Sequence, residues 1–110
     1  MNHDLDLKAQ VKQILKVVQE LAPGRSVELR IPPHAAIQCV GGSTHRRGTP
    51  PNVVEMKAET LINLLGRPED WQQFCESGAI SASGANSNLG NLIVQVSKLM
   101  NSEGRSKNGE

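Results

Sequence analysis

Aromatic residues are nearly absent from this 110-residue chain: Trp71 and Phe74 stand alone, and there is no tyrosine. A stacking platform for single-stranded nucleic acid needs several such rings, so that class of function is excluded. Charge of one sign is also missing. Twelve Lys and Arg residues balance eleven Asp and Glu residues for a formal net charge of +1, without the clustered basic face that holds a phosphate backbone. Nucleic acid is therefore not an expected partner. No apolar run approaches the length of a transmembrane helix. Met1-Asn2-His3-Asp4 offers no basic segment followed by an apolar core, so no secretory signal is expected and the cytoplasm is the expected compartment. Cysteine is scarce as well. Cys39 and Cys75 fall in apolar stretches without CxxC spacing, which reads as two reduced, buried thiols.

What the chain does hold is aliphatic: 26 Leu, Ile and Val residues, about what one core of this size consumes. The length fits one domain over residues 1–100. From Asn101 the sequence NSEGRSKNGE has nothing to bury and is expected to be a disordered tail.

The periodicities set the order of elements. Leu7, Val11, Ile14, Leu15, Val18 and Leu21 recur at three- and four-residue steps, predicting an amphipathic helix over 4–22 that Pro23-Gly24 ends. Val27, Leu29 and Ile31 alternate with Glu28 and Arg30, as in a strand with one wet face. Pro32-Pro33 forces a turn into a second short strand over 35–40. Gly41 to Pro51 reads as a loop, and Asn52 to Lys57 as a third strand. A short leucine-rich helix over 58–65 ends at Gly66, and a second, entered through Pro68, closes at Gly78. Ala79 to Ser83 forms a fourth strand. Asn86 or Ser87 is positioned to cap the last helix, whose stripe is Leu89, Leu92, Ile93, Val96 and Met100. The expected fold is α+β: a small, mainly antiparallel sheet of four to five strands with helices on one face.

Particular residues carry a resemblance. NVVEMKAETLINLLG, then EDWQQFCESG, then the strand and glycine exit GAISASG before a helix, resemble the sterol carrier protein family. RIPPHAAIQC followed by THRRGTPPNVVE resembles its bacterial branch, the actinobacterial sterol-carrier-like proteins. The resemblance covers about residues 25–93. It implies a mixed sheet with helices on one side, often enclosing a tunnel for sterols, fatty acids or acyl-CoA. It also implies a lipid or acyl ligand and no catalytic residue.

The residues themselves permit a groove more readily than a tunnel, because so few large side chains are left over to line one. Leu61, Leu64 and Leu65, with Trp71 and Phe74, are the candidate lining, and Ile93, Val96 and Met100 are placed to close over them. The alternative is that all eight are plain core. A second candidate is an anion-binding loop of His45, Arg46, Arg47 and Thr49, since arginine forks beside glycine and hydroxyls suit phosphate or carboxylate. The alternative there is a solvated loop whose arginines pair with acids such as Glu55. A third grouping, His34, Gln38, Cys39 and His45, matches no zinc spacing, and Gln38 and Cys39 point to opposite faces of their strand. No metal, cofactor or catalytic residue is expected, since paired acids, a nucleophile elbow and a cofactor fingerprint are all missing. The expected function is a non-catalytic binding domain for a lipid, acyl or other amphipathic ligand. The competing expectation is a protein–protein interaction or homodimerisation domain, with the stripes of the first and last helices as its surface.

Overall fold

The computed structural model describes residues 3–42 and 52–109. The first amphipathic stripe forms helix α1, His3–Leu21. Two short strands follow, β1 (Val27–Ile31) and β2 (Ala35–Cys39), antiparallel from Ile31 opposite Ala35 to Val27 opposite Cys39. The Pro32-Pro33 turn joins them, and the His34 N–H donates to the Ile31 carbonyl at 2.8 Å. Strand β3 is Asn52–Met56 and helix α2 is Ala58–Gly66. A 3₁₀ turn, Pro68–Asp70, runs into the short helix α3, Trp71–Glu76. Strand β4 (Ile80–Ser83) and helix α4 (Gly90–Gly109) complete the chain.

The strands order as β2-β1-β3-β4, and the sheet is mixed. β3 pairs with β1 in parallel, Val27 opposite Asn52, and antiparallel with β4, Met56 opposite Ile80. Two of the three pairings are antiparallel, as expected of a mainly antiparallel sheet, and the pairing of β1 with β3 is parallel. β2 and β3 are not joined by a tight turn, so the chain is free to pass the end of β1 and enter the sheet on its far side.

Alternation decides the two faces. Val27, Leu29, Ile31, Cys39, Val54, Met56 and Ile80 are buried on one side. There they meet Leu7, Val11, Ile14, Leu15 and Val18 of α1, Leu61 and Leu64 of α2, and Ile93 and Val96 of α4. At about 25 cal/mol per Å² of apolar area, this one-sided layer is the main source of stability. The other face carries Glu28, Arg30 and Glu55. The Arg30 guanidinium lies 3.3 Å from Glu28 and 3.7 Å from Glu55, so Glu55 is engaged within the sheet. Such half-exposed pairs are screened by solvent and contribute little to stability.

The start of α4 differs from expectation: Asn88 Oδ1, rather than a side chain of Asn86 or Ser87, accepts the Gly90 N–H at 2.8 Å.

Candidate functional site

The eight candidate lining residues divide into two groups. Leu61, Leu64, Ile93 and Val96 are fully buried, and Trp71 is 7% exposed; these five fill the layer between helices and sheet. Leu65, Phe74 and Met100 are only partly buried and pack against the edge of that core. Phe74 is drawn away from the others. Its ring lies beneath the Arg67 guanidinium, 5.6 Å from the centroid, beside a separate recess of about 210 Å³.

Leu65 and Met100 do come together. They line an open groove of about 500 Å³ where α1, α2 and α4 meet. Ile14 and Ile62 contribute apolar floor, and Gln10, Gln13, Ser97 and Asn101 contribute polar atoms. Ser97 fixes the junction. Its hydroxyl donates to the Leu65 carbonyl at 2.7 Å, tying α4 to the last turn of α2, where carbonyls lack helical partners. Ile14 was not legible as lining because it belongs to the core-facing stripe of α1, nor Ile62 because it lies beside the Leu61, Leu64 and Leu65 stripe. Gln10 and Gln13 give no such signal, since glutamine on an amphipathic helix reads as its wet side.

A second recess, about 510 Å³, lies between the start of α1, the Pro32-Pro33 turn and the start of α2, with Lys8, Lys57 and Glu59 around it. The proposed anion-binding residues His45, Arg46, Arg47 and Thr49 lie outside the described residues.

Of the third grouping, His45 lies outside the described residues, and Gln38 and Cys39 take opposite faces of β2. Gln38 sits on the open face, where its Oε1 accepts from Arg25 Nε at 3.1 Å. Cys39 is on the inner face with no exposed surface. Burial pushes its thiol from the ordinary value near 9.0 up to about 11. A thiol held neutral at physiological pH is a poor nucleophile and a poor metal ligand. Among the described residues, no group of three or more His, Cys, Asp or Glu could hold a metal ion.

The raised Cys39 value has a measurable consequence. The fold binds the neutral thiol, so its contribution is complete below about pH 9 and is lost as pH rises through about 11. The loss is on the order of 2–3 kcal/mol, from 1.36 kcal/mol per pKa unit. Urea titrations of the wild type should show this alkaline decline, and Cys39→Val should flatten it. Parallel curves for the two proteins would mean that Cys39 is not desolvated. In the same protein, iodoacetamide at pH 8 should label the partly buried Cys75 well before Cys39.

No helix among the described residues is long and apolar enough to cross a membrane. No curated protein matches the chain. The family model described as "Bacterial SCP ortholog" matches residues 4–94, which takes in α1, the whole sheet and the first turn of α4. The match thus begins well before residue 25, where the resemblance read from the sequence starts, and α1 is part of the family unit. An α+β layer built on the RIPPHAAIQC and GAISASG strands, matched over that length, places the chain in the bacterial sterol-carrier-like family.

Proposed function

We propose that this protein is a non-catalytic cytoplasmic carrier that holds the apolar part of a lipid or acyl-bearing ligand in the groove between α1, α2 and α4. The observation that carries this reading is apolar surface left open outside a completed core. Ile62, Leu65 and Met100 are partly buried against the core, and all three line the groove. Its volume, about 500 Å³, falls within the roughly 300–1,000 Å³ range of small-molecule sites. Each methylene taken out of water there contributes about 0.8 kcal/mol, so a single acyl chain supplies useful affinity. Family membership supports the same reading.

Native mass spectrometry of the purified protein should show a lipid adduct. Ile62→Glu puts a charge on the groove floor at a partly buried position. It should weaken binding of a twelve-carbon amphiphile at least tenfold while leaving the far-UV circular dichroism unchanged. Absence of any adduct, together with no shift of the thermal midpoint on adding acyl amphiphiles, would sink the carrier reading. A mass that rises with concentration in light scattering would then assign the groove to a second copy of the chain.

A further inference from the structure

We infer that the groove selects an uncharged amphiphile, one whose head is a hydroxyl or a neutral carbonyl group, and that Gln10, Gln13 and Asn101 are the residues that set this selectivity. The inference rests on the carrier reading above and adds the chemistry of the head group.

The first observation is the lining itself. Among the described residues it contains no charged side chain. Its polar atoms are three carboxamides and one hydroxyl, and the hydroxyl is already committed. Ser97 Oγ donates to the Leu65 carbonyl at 2.7 Å and accepts from Asn101 Nδ2 at 3.5 Å. The carboxamides of Gln10 and Gln13 form no hydrogen bond within the described residues. Each offers two N–H donors and a carbonyl acceptor. A hydroxyl, which both donates and accepts, or an ester or amide carbonyl, which accepts, matches that set.

The second observation is the sign of the surrounding field. The C-terminal turn of α2 ends at the groove, and the C-terminal end of a helix carries roughly half a negative charge. On α1, Asp6 lies one helical turn before Gln10 and Lys16 one turn after Gln13, so the charges that flank the carboxamides balance. A carboxylate or phosphate head placed among the carboxamides would lose hydration, find no cation in the lining, and face the negative end of α2. An ammonium head would gain from that field, but the lining gives it no anionic partner, so it would lose hydration without a full ion pair. The neutral head is the one whose hydrogen bonds the groove replaces at no cost in charge burial.

The test uses three probes with the same twelve-carbon chain, each below its micellar concentration at pH 8: dodecan-1-ol, dodecanoate and dodecylammonium. Isothermal titration against the full chain should give a dissociation constant for the alcohol about tenfold or more below those of both ions. Gln13→Lys, conservative in helix propensity, should then improve dodecanoate binding several-fold in a salt-sensitive manner and weaken the alcohol, which loses a carboxamide partner, so the alcohol-to-dodecanoate ratio falls about tenfold or more. Three outcomes overturn the inference and leave the carrier reading standing. They are equal binding of all three probes, tighter binding of either ion by the wild type, and an alcohol-to-dodecanoate ratio unmoved by Gln13→Lys. Binding of none of the probes overturns the carrier reading together with the inference.

Discussion

Replacing Gly24 with alanine is expected to cost the fold about 2–6 kcal/mol, a large share of the 5–15 kcal/mol that holds a domain together. Gly24 adopts φ +149, a conformation that side chains rarely allow. A Cβ at this position would sit inside contact distance of the Val40 carbonyl carbon and oxygen and of the Gly41 nitrogen. These are backbone atoms, so no rotamer change relieves the clash. Nor can the Val40 segment move away freely. The Val40 N–H donates to the Ala22 carbonyl at 2.7 Å, and the Val40 carbonyl accepts from the Ser26 N–H at 2.9 Å. Val40 itself is held at φ 66, unusual for a β-branched residue. The end of α1, the start of β1 and the end of β2 are thus pinned at one point, and Gly24 is the residue thin enough to pass it. The estimate sums two strained hydrogen bonds at 0.5–1.5 kcal/mol each and about 1–3 kcal/mol of backbone strain. Urea denaturation is the measurement, with Gly66→Ala as the control. A Cβ at Gly66 meets open space, so that variant should stay within about 1 kcal/mol of the wild type. A Gly24→Ala protein as stable as the control would rule out the close approach.

The elements of this fold were legible because each has a period of its own. Val27, Leu29 and Ile31 alternate, and the buried-intermediate pattern of β1 repeats that alternation residue by residue. The α1 stripe is equally direct, with Val11 and Val18 fully buried and Lys8, Lys12 and Lys16 exposed. Strand order was not legible, because periodicity says which face a residue takes and not which strand lies beside it. The cap of α4 shows a subtler limit. Asn86, Ser87 and Asn88 are all competent caps. The Asn86 backbone is tied to the Asn52 side chain and the Ser87 hydroxyl donates to the Gly84 carbonyl at 2.9 Å, which holds both residues in the loop and leaves Asn88 beside the first N–H of the helix. Only tertiary partners make that choice. The groove follows the same logic. Leu61, Leu64 and Leu65 are one stripe in sequence, yet the crossing of α1 and α4 over α2 covers the first two completely and leaves the third at an edge. A stripe identifies what is apolar, while the neighbours decide what stays open.

Asn52→Ala should be the most informative loss among the polar residues, at about 2–4 kcal/mol. Asn52 is 3% exposed and opens β3 at the point where the parallel pairing with β1 begins. Its Nδ2 donates to the Ser26 carbonyl at 2.8 Å, and its Oδ1 accepts the Asn86 N–H at 2.9 Å. One carboxamide thereby serves a carbonyl just before β1 and an amide in the loop between β4 and α4. β3 is joined to β1 in parallel without a tight turn, so its first residue is where register has to be fixed by something other than a hairpin. Removing the side chain strands the buried Ser26 carbonyl, which costs about 1–3 kcal/mol, and releases the part-buried Asn86 N–H, which costs less because solvent can reach it. Asn52→Asp separates the two bonds. It keeps an acceptor for Asn86, loses the donor to Ser26, and sets a carboxylate against a carbonyl oxygen, so at neutral pH it should be no more stable than the alanine variant. Amide hydrogen exchange distinguishes this account from a general loss of packing. In Asn52→Ala, protection of the Asn86 N–H should fall far more than protection of the Val54 amide in the centre of β3. A cost below about 1 kcal/mol with Asn86 protection intact would mean that other groups replace the carboxamide, and β3 would then take its register from Val54 and Met56 alone.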